Sequence, residues 1–68
     1  MHKQFQVATD AGRVLVTLDI VPDEFDPHAV LAAQDEFGDP LARVKVRPDF
    51  KLTQASASAW IEGGFAKP

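Results

Sequence analysis

The residues most able to do chemistry stand together in the segment Asp23-Glu24-Phe25-Asp26-Pro27-His28. Its carboxylates and imidazole are ligands for hard or borderline metal ions, and they are also general acid–base groups. A calcium loop, however, needs oxygen donors at alternating positions and a glycine at its sharp turn, whereas here Phe25 and Pro27 interrupt the series. We therefore expect no metal site, and we interpret these acids as groups that cap and stabilise the start of a helix.

Nucleophilic catalysis would depend on serine, because the chain has no cysteine. Ser56 and Ser58 lie in a helical pattern without the strained turn that exposes a nucleophilic serine, and of the two histidines, His2 and His28, it is His28 that would have to serve as their base. Adjacent carboxylates at 23–24 and 35–36 could act as acid and base, but a domain of this size has little depth for a substrate cleft. The sequence predicts a protein that is not an enzyme, with no catalytic residues and no cofactor.

Charge is unevenly distributed along the chain. The formal net charge is −3, which disfavours nonspecific nucleic-acid binding because that binding depends on Lys and Arg that neutralise phosphates. Most of the acidic residues form a group that we call the acidic belt: Asp19, Asp23, Glu24, Asp26, Asp35, Glu36 and Asp39. Basic residues follow immediately at Arg43, Lys45 and Arg47. The belt and this basic group are the two candidate binding surfaces.

Length and composition indicate one small globular domain spanning 1–68. The chain has 68 residues, of which 46% are hydrophobic and 25% charged, and a chain this short cannot support two separate cores. Because it has no cysteine, packing rather than disulfides must stabilise it. No apolar run approaches the length of a membrane span, so we expect a cytoplasmic protein with no membrane partner.

A hairpin is expected at the start of the chain. Residues 4–9 and 14–21 alternate between apolar and polar side chains, and the segment between them contains Gly12, a turn residue. A loop of two or four residues keeps the apolar side chains on one face and sets Phe5 beside Leu18. A one-residue slip would turn half of the apolar side chains towards water.

The next segment has the pattern of an amphipathic helix over about 27–37. Asp26 is a suitable N-cap, a proline occupies the first helical position, and Phe25 can pack on Val30 as a hydrophobic staple. Its apolar stripe would consist of Val30, Ala33 and Phe37, and Gly38 then suits a left-handed C-cap.

Residues 41–47 alternate again and predict a third strand, whose outer side carries the three basic residues. A second helix over 54–62 has Thr53 as its cap, and Trp60 faces the core. The expected fold is α+β, in the order β-β-α-β-α, with a three-stranded sheet and two helices packed on one face. We identify no internal repeat in the sequence.

Two stretches resemble known families. Residues 53–62 resemble the closing helix of the arm-type DNA-binding domain of phage-type tyrosine integrases, which implies DNA binding through a three-stranded sheet. Residues 3–37 are similar to the opening of ubiquitin-like β-grasp domains, and this similarity implies a conjugation role for Gly63-Gly64. Integrase arm domains are basic whereas this chain is acidic, and β-grasp domains end on a strand with a free Gly-Gly tail. The expected function is therefore taken from the residues themselves.

The sequence favours a non-enzymatic interaction or regulatory protein that binds a protein partner with a basic surface stoichiometrically, through the acidic belt. Such a protein would be similar to phage- or plasmid-type inhibitors, including the DNA-mimicking anti-CRISPR proteins. One alternative is a nucleic-acid-binding module that uses the Arg43, Lys45 and Arg47 face. Another is a homodimer in which the acidic belt of one copy meets the basic strand of the other.

Overall fold

Four strands and one helix make up the part of the chain that the computed structural model describes, residues 2–68. The strands are β1 (His2–Thr9), β2 (Gly12–Val21), β3 (His28–Asp35) and β4 (Pro40–Val46), and α1 (Gln54–Glu62) follows them. Each strand pairs antiparallel with the next in the order β1-β2-β3-β4. The expected three-stranded sheet with two helices is therefore wrong, because the sheet has four strands and a single helix packs on it.

The first hairpin keeps the expected parity but not the expected pairs. Its loop consists of residues 10 and 11, and Phe5 pairs with Val16 rather than with Leu18. A shift of two residues leaves every side chain on the same face, so the apolar sides of β1 and β2 remain together. Gly12 closes the turn with a φ of +119°, a conformation that L residues rarely adopt.

Strand β3 occupies the segment for which the sequence predicted a helix over 27–37. Residues 29–33 are a continuous apolar run, and such a run fits a buried strand as well as a buried helix. In the structure Leu31 is fully buried, while Phe37 is 83% exposed, although the helix would have placed it in the core. Pairing on both sides, to β2 and to β4, overrides the helix propensity of the alanines.

The core lies between one face of the sheet and α1. Trp60, which is 5% exposed, is the largest side chain in it, and Leu52 packs there just before the helix. Fully buried alanines on the strand and the helix leave room for close approach. The buried cluster consists of Val7, Val14, Val16, Leu18, Ala29, Leu31, Ala33, Val46, Leu52, Ala57 and Trp60.

Helix α1 begins and ends as its sequence predicts. The Thr53 hydroxyl accepts a hydrogen bond from the Ser56 amide (3.1 Å), and the Ser56 hydroxyl accepts one from the Thr53 amide (2.8 Å). At the other end the Phe65 amide donates to the Trp60 carbonyl (2.9 Å), with Gly64 at a φ of +72°. The Phe65 ring meets the Trp60 ring edge-on at a centroid distance of 5.1 Å. This is a Schellman ending with its hydrophobic contact, and it fixes Trp60 over the sheet.

Two substitutions distinguish strand β3 from the helix that the sequence predicted for the same segment. We expect Leu31→Ala to lower the free energy of unfolding by about 2–5 kcal/mol, because it leaves a cavity at a fully buried site. We expect Phe37→Ala to change it by about 0.5 kcal/mol or less, because that ring is exposed. Urea unfolding of both variants measures the two values. A large loss for Phe37→Ala together with a small loss for Leu31→Ala would contradict strand β3.

Candidate interaction surface

Strand β3 divides the acidic belt into two clusters. Residues 23–26, which we call the first acidic loop, precede β3, and residues 35–39, the second acidic loop, close the β3–β4 turn. The eight residues of β3 span about 23 Å at about 3.3 Å per residue, so the loops lie at opposite ends of the sheet. The belt is continuous in the sequence but not on the surface, and Asp19 lies apart from both loops, on β2.

Asp23 organises the first acidic loop. One of its carboxylate oxygens accepts hydrogen bonds from the amides of Phe25 (2.8 Å) and Asp26 (3.3 Å). The Phe25 amide, and after it the Asp26 amide, holds the pKa of the Asp23 carboxyl below its ordinary value. The expected helix cap at Asp26 and the staple of Phe25 on Val30 are wrong, since no helix begins here and Phe25 is 91% exposed.

Asp35 organises the second acidic loop in the same way. One carboxylate oxygen of Asp35 accepts from the amides of Phe37 (2.9 Å) and Asp39 (2.9 Å). The Gly38 amide donates to the Asp35 carbonyl (3.1 Å), and Gly38 has a φ of +87°. Gly38 is left-handed as the sequence predicts, but it serves a hairpin turn and not a helix C-cap.

The two acidic loops repeat one sequence. The first reads Asp-Glu-Phe-Asp-Pro over 23–27 and the second reads Asp-Glu-Phe-Gly-Asp-Pro over 35–40, so they differ by one inserted glycine. In each, the first aspartate accepts a hydrogen bond from the amide of the phenylalanine. The repeat is present in the sequence, but the expected helix assigned one copy to its start and the other to its end. The two copies were therefore not recognised as equivalent.

Within the described part of the chain, most members of the acidic belt form no ion pair. Asp26 pairs with Lys45, and Asp19 pairs with His2, whose pKa is raised mainly by the hydrogen bond to that carboxylate. Among the residues that the structure describes, five members of the belt form no ion pair: Asp23, Glu24, Asp35, Glu36 and Asp39. All five lie in the acidic loops, so each end of β3 carries free carboxylates.

The basic group is more fully neutralised. Arg43 and Lys45 lie on the outer side of β4, as the alternation predicts, and Arg47 follows the end of the strand. Lys45 pairs with Asp26, while Arg47 pairs with Asp49 at 3.2 Å. Within residues 2–68, Arg43 alone of the three makes no ion pair. The three residues therefore do not form a continuous unpaired cationic strip.

The sheet face opposite α1 is uncovered. Leu15 and Val30 form part of its half-buried centre. Polar side chains surround them on neighbouring positions of the sheet register, namely Gln4, Gln6, Thr17, Gln34, Arg43 and Lys45. Arg13 and Arg43 lie on this face and form no ion pair within residues 2–68, whereas the acidic loops at its ends carry unpaired carboxylates.

A surface depression at the start of β3 brings together Asp26, His28 and Lys45. Their polar groups are engaged with one another, because Lys45 pairs with the Asp26 carboxylate and His28 Nδ1 donates to the Asp26 carbonyl oxygen at 2.7 Å. In residues 2–68 no group of three or more His, Cys, Asp or Glu side chains is placed to hold a metal ion.

No family model matches the chain, and no curated protein or solved structure matches it either. Throughout the described residues, no helix is both long enough and apolar enough to cross a membrane. The exposed side chains and their charges are therefore the features that bear on function.

The hydrogen bonds to Asp23 imply that its contribution to the stability of the fold depends on pH. Because its folded-state pKa is depressed, its contribution to stability is present above the ordinary value of 3.8 and is lost as the pH falls through the folded-state pKa. We expect Asp23→Ala to be less stable than the native chain at neutral pH, with a gap that closes in acid. Urea unfolding at a series of pH values measures the gap, and Glu24→Ala controls for the loss of one charge in the same loop. A gap that is independent of pH would contradict the assigned hydrogen bonds.

Proposed function

We propose that this chain is a non-enzymatic interaction protein that binds one protein partner stoichiometrically, with the two acidic loops in contact with a basic surface. The observation that supports this is the set of exposed or half-exposed carboxylates in those loops that form no ion pair within residues 2–68. Unpaired surface carboxylates steer a cationic partner during encounter and select the orientation in which it docks.

The separation of the loops determines how these charges act. At physiological ionic strength the screening length is about 8 Å, which is well below the length of β3. Each acidic loop therefore attracts its own cationic patch, and a partner that contacts both loops must carry basic residues at two places. Electrostatic attraction of this kind is reduced by added salt.

The proposed mode of action is occupation of the partner's surface. A binder of this kind needs no group that makes or breaks bonds, and it changes the partner by excluding whatever otherwise binds the same basic patches. Inhibition is the consequence that we expect. We also propose a cytoplasmic partner, because a chain of 68 residues without cysteine is not built like the disulfide-stabilised small domains of oxidising compartments.

Nucleic-acid binding is the second candidate, and the uncovered sheet face is the observation that favours it. Sheet-based DNA readers lay strands on nucleic acid, and amides such as Gln4 and Gln6 can bond to base edges while Arg43 contacts phosphate. Lys45 and Arg47 are engaged in ion pairs, however, so within residues 2–68 Arg13 and Arg43 are the arginines of this side that form none, against five unpaired carboxylates in the acidic loops. Electrostatics thus supports the protein partner first.

Two triple variants of opposite charge test the proposal. Glu24→Gln/Glu36→Gln/Asp39→Asn removes three carboxylates that accept no hydrogen bond within residues 2–68, so the loops keep their conformation. Arg43→Gln/Lys45→Gln/Arg47→Gln removes as many positive charges and is the matched control. Each tagged chain is incubated with lysate of the cells that produce it, in nuclease-treated and untreated halves, and the captured protein is then purified for affinity measurement.

We expect the native chain and the Arg/Lys variant to bind the partner equally in both halves. The carboxylate variant should bind about tenfold more weakly, or worse, since each exposed ion pair contributes about 0.2–1 kcal/mol. Equal binding by the carboxylate variant would contradict the proposal. Retention of nucleic acid that nuclease removes, and that the Arg/Lys variant loses, would establish the second candidate. A sedimentation mass of two copies for the chain alone, abolished by both variants, would establish the homodimer.

A further inference from the structure

We propose that Phe25 and Phe37 are two equivalent anchors, and that the partner is a two-fold symmetric protein that presents the same basic-rimmed apolar pocket to each of them. This inference rests on the proposed function and adds to it the residues that enter the partner and the partner's symmetry. Its basis is the presence of one exposed phenylalanine at the same position of each repeated acidic loop.

The fold does not need either phenylalanine. The turn conformations of the loops are accounted for by the first aspartate, which accepts the backbone amides, by Gly38 at a positive φ, and by Pro27 just before β3 and Pro40 at the start of β4. Phe25 is 91% exposed and Phe37 is 83% exposed, so neither ring contributes appreciably to the core. They are the two most exposed of the large hydrophobic side chains in the described part of the chain.

The backbone that carries each ring is held by the same hydrogen bond in both loops. In each loop the aspartate two residues earlier accepts the hydrogen bond of the phenylalanine amide, at 2.8 Å for Phe25 and 2.9 Å for Phe37. The backbone beneath each ring is thus ordered before any partner arrives, which lowers the entropy lost on association. Buried aromatic anchors supply much of the energy of protein interfaces, and the carboxylates beside them would meet the polar rim of the pocket.

The repeat indicates the symmetry of the partner. Two identical segments, Asp-Glu-Phe, bind two identical pockets, and the commonest way for a protein to present one pocket twice is a homodimer with two-fold symmetry. Strand β3 holds the loops about 23 Å apart, so the sheet acts as a rigid spacer between the anchors. Once one phenylalanine is bound, the second binds as an intramolecular event.

The test uses the partner protein that the native chain captures and that is then purified. Its binding is measured by calorimetry to the native chain, to Phe25→Ser, to Phe37→Ser and to the double variant, and the mass of the complex is measured by sedimentation. Leu41→Ser is the matched control, because Leu41 is an exposed apolar residue outside the repeated segment. Thermal unfolding of every variant confirms that the fold is retained.

We expect one chain per partner dimer. Each single phenylalanine variant should lose about 100-fold or more in affinity, because avidity of this kind is typically worth about 10²–10⁴. The two single variants should end at similar affinities, the double variant should show no measurable binding, and Leu41→Ser should bind like the native chain.

Other outcomes overturn the inference in distinguishable ways. A monomeric partner, or a loss of affinity confined to one phenylalanine variant, would overturn the two equivalent anchors. The proposed function would still stand in that case, provided that the carboxylate triple variant binds more weakly than the native chain. Full binding by the double phenylalanine variant would also overturn the inference. If the native chain captures no protein, or if the carboxylate variant binds as tightly as the native chain, the proposed function falls and the inference falls with it.

Discussion

The structure depends on the double pairing of β3. Every backbone amide and carbonyl of a central strand needs a partner, and β3 finds one set on β2 and the other on β4. The two sides of the strand differ in burial, because Leu31 is fully buried in the core while Val30 lies half-buried on the uncovered face. Without β3, β2 and β4 would each present an unpaired edge. The same strand also decides where the charged loops lie, since one precedes it and the other follows it.

The single helix determines which face of the sheet remains open. Nine residues of helix cover one side, anchored by Trp60 and by the Schellman ending in which Phe65 packs against it. No second helix covers the other side within residues 2–68. The two candidate binding surfaces are therefore separate. One is the uncovered sheet face of mixed polarity, and the other consists of the acidic loops at its ends.

Elements with their own start and stop signals could be predicted from the sequence. Helix α1 has a capping box and a glycine ending, the first hairpin has a glycine turn and strict alternation, and β4 alternates between small apolar and basic residues. Strand β3 could not be predicted, because its apolar run has no period of two and its flanking residues suit a helix start and stop as well as they suit turns. The tertiary pairing that decides the matter is not a local property.

The candidate site shows the same limit. The acidic residues and their number were clear from the sequence, and so was the basic group. The sequence does not show which carboxylates remain unpaired, because this depends on ion pairs such as that of Lys45 with Asp26, which are far apart in the chain. The equivalence of the two loops did not emerge from the sequence, because Phe37 was expected on the apolar stripe of a helix that does not form and Phe25 in a staple just before it, whereas both are exposed.

The most direct test of this account is the distance across β3. The chain has no cysteine, so Pro27→Cys and Glu36→Cys allow two spin labels to be placed at the ends of the strand and their separation to be measured by pulsed electron resonance. An extended strand predicts about 25–30 Å between the two backbone positions, at about 3.3 Å per residue. A separation of about 14 Å, the value for a helix at 1.5 Å per residue, would contradict strand β3 and with it the placement of the acidic loops at opposite ends of the sheet.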